Sequence, residues 1–172
     1  MALAELDLEQ GKPPTEIEAS IRSILEDFRG KNDIEGQIDA RILLSRALLE
    51  QNRIEDAQKE IAGARETGKT NQNLQRNLEM EIATARVESA SGKVDEATKR
   101  LREAMARAAK SEYVGLYLEA QLALGEVQIA AGKLSAGNAT LTELRTQARR
   151  KGYGLIVSRA KRLSRKTGSA NK

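Results

Sequence analysis

The sequence predicts an all-α protein, a stack of antiparallel helix pairs, and three observations carry that prediction. The first is a repeat. Ser91-Gly92-Lys93-Val94-Asp95-Glu96-Ala97 is matched forty residues earlier by Gln51-Asn52-Arg53-Ile54-Glu55-Asp56-Ala57 and forty later by Ala131-Gly132-Lys133-Leu134-Ser135-Ala136-Gly137. In each copy a Gly or Asn that tolerates positive φ ends one helix, and the next begins two or three residues on. The second is composition: the only prolines are the adjacent Pro13 and Pro14, and Ala, Leu, Glu, Arg and Lys are abundant, which favours helix. The third is register, because equivalent positions agree in character: Ile38/Leu78/Leu118, Ile42/Ile82/Leu122, Ala47/Val87/Val127, Ile54/Val94/Leu134 and Ile61/Leu101/Leu141.

Taken in order, residues 3–10 read as the last turns of a helix closed by Gly11, which Pro13 and Pro14 forbid to continue. Thr15 with Glu18 has the pattern of a capping box. Behind it Ile17, Ile21, Ile24, Leu25 and Phe28 share one helical face. A shift of eighty places Ile21 on Leu101 and Ile24 on Ala104, so this is the second helix of an earlier, truncated unit. The chain therefore reads as the tail of a longer array, with Met1 not its natural start. After a turn at Gly30–Asp33, first helices are expected over Ile34–Gln51, Gln72–Ser91 and Glu112–Ala131, and second helices over Ile54–Thr67, Val94–Lys110 and Ser135–Lys151. Small residues coincide at Ser45/Ala85/Gly125 and Ala57/Ala97/Gly137, where paired backbones must approach closely. A last helix, Tyr153–Lys166, repeats the front of the unit and should be polar outside. Residues 1–166 thus read as a single helical-repeat domain of eight or nine helices: a partial repeat at 1–30, repeats at 34–73, 74–113 and 114–151, and a capping helix at 152–166. Residues 167–172 are expected to be a disordered tail.

Composition removes whole classes of chemistry. The chain has no Cys and no His, so thiolate metal sites, disulfides and the commonest general base are absent, and the cytoplasm is the expected compartment. No apolar run approaches the ~18 to 20 residues of a membrane span. The net charge of +4 hides a split: from Arg145 onward there are ten basic residues and no acidic one, leaving 19 bases against 25 acids before it. No catalytic constellation is found, no cofactor is expected, and the protein reads as a non-enzyme.

One motif invites a nucleotide. Gly63-Ala64-Arg65-Glu66-Thr67-Gly68-Lys69-Thr70 matches the P-loop pattern letter for letter. A P-loop needs a buried strand before it and a helix after it, so that backbone N–H groups wrap the phosphates. Here the preceding residues have helical composition, and Ala104 and Leu144 stand at the place of Ala64. The segment reads as a helix end followed by a turn, with no nucleotide site.

The Leu124-Gly125 pair leading to Gly137 and Leu141 resembles the tetratricopeptide repeat, with weaker copies at Leu44-Ser45 to Ala57 and Ile61, and at Thr84-Ala85 to Ala97 and Leu101. The period of 40 exceeds that family's 34 residues. Arg41, Glu81 and Gln121 stand where the family often has Trp, and the closing Pro is missing. HEAT and armadillo repeats have periods near this length and remain alternatives. The resemblance implies a right-handed superhelix of antiparallel helix pairs that binds a protein or peptide on its concave surface. More loosely, Glu119–Glu126 and Gly152–Ile156 resemble the C-terminal repeat arrays of bacterial signalling proteins, implying a fragment of a larger regulatory protein whose partner is another protein or its own parent chain.

In such arrays the first helices line the concave face. Asp39, Glu79 and Glu119 form one repeat column, and Arg46, Arg86 and Glu126 another, seven residues on, so both share one helical face. These six with Gln121 are the candidate protein-binding residues; a solvated, merely solubilising surface is the plainer reading of each. The alternative function is an adaptor for nucleic acid or another anionic surface, acting through a basic patch of Arg149, Arg150, Lys151, Arg159 and Arg162. Nucleic acid is disfavoured, since only Tyr153 accompanies that patch to stack on a base. Homo-oligomerisation through an uncovered apolar N-terminal edge is also expected.

Overall fold

The computed structural model describes residues 13–169. The described residues form eight helices and no strand: α1 (Pro14–Gly30), α2 (Ile34–Glu50), α3 (Ile54–Thr67), α4 (Leu74–Ala90), α5 (Val94–Lys110), α6 (Val114–Ala130), α7 (Leu134–Arg150) and α8 (Gly154–Ser169). The helices begin every twenty residues without exception. Six of them are 17 residues long and are followed by three-residue turns. The shorter α3 has 14 residues, and a six-residue link, Gly68 to Asn73, restores the phase.

The turns show why the interval is so regular. Asn32, Asn52, Gly92, Glu112, Gly132 and Gly152 all have positive φ, between 53° and 82°. At Asn52 the geometry is a Schellman close: Arg53 N–H donates to Leu48 O at 2.9 Å and Asn52 N–H to Leu49 O at 3.0 Å, satisfying the last carbonyls of α2. The same six-to-one bond recurs from Asp33, Tyr113, Lys133 and Tyr153. Glu112 is the anomaly, because a side chain with a Cβ in the left-handed region costs about 1 kcal/mol. Glu112 is exposed, so Glu112→Gly should relieve that strain without losing packing. Melting should rise by about 2–4 °C; an unchanged or lower midpoint would show that the turn is relaxed as it stands.

The chain divides into two compact units, Met1–Ser91 and Gly92–Lys172. In the first, α2 packs between α1 and α3, and α4 packs on both α2 and α3; three-residue turns make the sequential neighbours antiparallel. Ile17, Ile21 and Leu25 of α1 join Leu43, Leu44 and Leu48 of α2, Ala57 and Ile61 of α3, and Ala83 and Val87 of α4 in one buried cluster. First helices bury residues around much of their circumference, as Ile38, Ala40, Leu43, Leu44, Ala47 and Leu48 do in α2. Second helices bury a single stripe, Ala57, Ile61 and Ala64 in α3.

The capping box expected at Thr15 and Glu18 is not formed. Pro13 is the N-cap with no side-chain cap bond, Pro14 opens the helix with its preset φ, and Glu18 turns to other partners. Side-chain caps occur instead at Asp33, which accepts from Gly36 N–H, and at Asn73, which accepts from Arg76 N–H.

In the second unit α6 packs on α5 and α7, and α8 on α6 and α7. Leu118 and Leu122 of α6, Leu141, Leu144 and Ala148 of α7, and Ile156, Val157 and Ala160 of α8 form its core. Gly125 and Gly137 face each other across α6 and α7: a Cβ on Gly137 would stand 3.2 Å from Gly125 O and from Ile129 N. Helix α8 extends to Ser169, into the stretch expected to be the tail. The expectations for residues 3–10, for Gly11 and for residues 170–172 lie outside the described residues. In α1 the apolar face packs on α2 and shares its buried cluster, and the opposite face carries the exposed Glu16, Ser20 and Ser23.

Candidate partner-binding surface

The first helices α2 and α4 lie side by side in the first unit, which brings the predicted columns Asp39/Glu79 and Arg46/Arg86 onto neighbouring helices. All four are half-buried. Asp39 accepts two bonds from the Arg76 guanidinium, from Nε at 2.8 Å and Nη2 at 3.0 Å, in the bidentate arrangement that suits planar charge pairs. Arg76 also reaches Glu35 at 2.9 Å. The Asp39 hydrogen bond, with the charges of Asp39 and Glu35, holds the Arg76 guanidinium above its ordinary value despite partial burial. Arg76 therefore fastens α4 to α2 and fixes the acidic end of this face. Glu79 accepts from Gln75 at 3.1 Å on its own helix, and Arg46 and Arg86 are engaged with neighbours.

In the second unit Glu119 accepts from Arg159 Nη1 at 2.7 Å, linking α6 to α8. This corrects the place of Arg159: it lies half-buried in an ion pair and is not part of an open basic patch. Gln121 is also corrected, since at 3% exposure it cannot meet a partner from solvent, and its Oε1 has no hydrogen-bond partner among the described residues. Glu126 is half-buried and engaged. Arg149, Arg150 and Lys151 are exposed at the end of α7 and its turn, as is Arg162 on α8.

Two arrangements were missed by the sequence reading. Arg76 stands three residues ahead of the acidic column, one helical turn earlier, and a base one turn before the acid in the following repeat was the available signal. Arg41, at the place of the family's Trp, instead donates from Nη1 to Glu60 at 2.6 Å, and Glu60 also meets Arg22 at 3.5 Å. The Arg41 guanidinium lies on Gly63, where an added Cβ would come within 2.5 Å of it. The first glycine of the P-loop-like stretch is thus a seat for Arg41. Gly63–Thr67 belong to α3 with Gly68 as the C-cap, so their amides are committed to helix bonds, and the exposed Lys69 lies near Glu66.

Among the described residues no group of three or more acidic side chains is placed to hold a metal ion. No helix among them is long and apolar enough to cross a membrane.

Helices beginning every twenty residues, left-handed turn residues between them, and small residues at the close approach of α6 and α7 make the described residues an all-α fold of repeated helix pairs. No family model matches the chain, and no curated protein matches it. Among solved structures it is similar to a Podosopora anserina chain of nearly identical TPR-like repeats named for kinesin light chain. That chain is 15% identical, the match covers 88% of this chain and 94% of that one, and the TM-score is 0.38.

Proposed function

We propose that the protein is a non-catalytic scaffold that binds a polypeptide segment along its first helices. The observation that supports this is the α2–α4 face. Both helices bury their apolar residues and leave a half-buried polar stripe, acid near one end and base near the other, with Asp39 already locked by Arg76. A stripe fixed before binding loses little side-chain entropy when a guest arrives. Ordered opposite charges select the direction in which a segment lies.

The test begins with peptides selected from a displayed random library on the immobilised full chain. Fluorescence anisotropy of the best binder is then compared between the parent chain and Arg46→Glu/Arg86→Glu. Affinity should fall by about tenfold or more, as for loss of charge pairs at a binding surface, with helical circular dichroism unchanged. Equal affinity in a folded double variant removes this face from the function.

A further inference from the structure

The second unit concentrates positive charge: Gly92–Lys172 holds seventeen Lys and Arg against seven Asp and Glu. One edge of that unit gathers it beside apolar surface. Because α6 runs antiparallel to both α5 and α7, the C-terminal ends of α5 and α7 flank the start of α6. Lys110 on α5 and Arg149, Arg150 and Lys151 at the end of α7 are all exposed there, and none makes an ion pair with another described residue. Tyr153, in the α7–α8 turn, packs on Gly115 of α6, where an added Cβ would be 3.3 Å from its ring, so the two turns are neighbours. The turn before α6 and the first turn of α8 each add a large apolar side chain open to solvent, Tyr113 at 37% and Leu155 at 54%.

We propose that this edge docks an acidic, extended polypeptide segment that carries an apolar anchor residue. The chemistry is complementary on both counts: carboxylates for four unpaired bases, and an apolar side chain for Tyr113 and Leu155. A single-stranded nucleic acid fits less well. It needs a row of open aromatic faces, whereas Tyr117 and Tyr153 pack against the core of this unit, Leu155 is aliphatic, and Tyr113 alone of the tyrosines here is open to solvent. Bases in the last turn of α7 also suit that helix's dipole, but the dipole accounts for neither Leu155 nor Tyr113. None of its residues belongs to the α2–α4 face, so either reading can fail without the other.

Fluorescence anisotropy of the full chain with three labelled probes decides it: a glutamate-rich peptide with a central phenylalanine, its lysine counterpart, and an oligothymidylate. The acidic peptide should bind and the lysine peptide should not. Arg149→Gln/Arg150→Gln should weaken binding about tenfold, and Leu155→Ser should weaken it too, both at unchanged melting temperature. Lys99→Gln/Arg102→Gln removes the same charge from α5 and should leave binding intact. The proposal is overturned if the oligothymidylate binds at least as tightly, or if the α5 variant loses as much affinity. It is equally overturned if the α7 variant melts lower while its binding is unchanged.

Discussion

Gly137→Val should destabilise the second unit by about 3 kcal/mol, the upper part of the range for overpacking a close contact. A Cβ at this position would stand 2.6 Å from Ile129 Cγ1 and 3.2 Å from two backbone atoms, Gly125 O and Ile129 N. The side-chain carbon can rotate away. The backbone atoms cannot, so α6 and α7 must separate. Separation would loosen Leu118, Leu122, Leu141 and Leu144, which share one buried cluster with α8. The places equivalent to Gly137 in the earlier repeats carry Ala57 and Ala97, and those equivalent to Gly125 carry Ser45 and Ala85, whereas here both residues are Gly. The melting midpoint should fall by about 6–12 °C at 2–4 °C per kcal/mol. Gly154→Ala is the control, because nothing lies within 4 Å of its added Cβ. If the two variants melt alike, the close approach of α6 and α7 is not a constraint.

Glu18→Ala should cost about 2 kcal/mol, since it removes charged hydrogen bonds from a largely covered carboxylate. Glu18 is 9% exposed. It accepts from Gln51 Nε2 at 2.9 Å, from Arg53 Nη1 at 2.7 Å and from Arg22 Nε at 2.9 Å, tying α1 to the turn between α2 and α3. Arg53 keeps Asp56 and Arg22 keeps Glu60 as second partners, which limits the loss. Burial alone would raise the Glu18 carboxyl, but the hydrogen bonds from Gln51 and Arg22 and the charges of Arg53 and Arg22 outweigh it and hold the group below the ordinary 4.5. A folded-state value below the unfolded one makes this stabilisation complete above the unfolded value and lost as pH falls through the folded one. Parent and Glu18→Gln should therefore differ in melting at neutral pH and converge in acid below 4.5. A gap that persists at strongly acid pH would mean that the carboxylate's charge is not the source.

The helices were legible because their punctuation is local. Asn52, Gly92 and Gly132 signal their turns through residue type, and the observed ends of α2 to α7 lie within two residues of those expected. Glu112 could not be foreseen, because nothing in a glutamate marks a left-handed turn; the register of the surrounding helices forces it there. Glu18 looked like half of a capping box because its real partners, Gln51 and Arg53, lie more than thirty residues away in sequence. The candidate surface was half legible. Seven-residue spacing placed Asp39 with Arg46 and Glu79 with Arg86 on one face, but the pattern was silent on Arg76 and Arg159, which claim two of the acids. Gln121 shared the apparent polarity of that face and is buried. First helices are covered around much of their circumference, and a single-helix projection does not show how many neighbours a helix has.

The link from Gly68 to Asn73 has a further consequence. An extra residue within any helix would rotate everything after it by about 100° around the axis and carry buried side chains into water. A three-residue turn closed by a left-handed residue has little slack to absorb such an error. The longer link has residues to spare beyond a three-residue turn, and Lys69 and Thr70 within it are exposed. It is the seam where this chain can gain a loop, a tag or an inserted domain while every helix on either side keeps its facing.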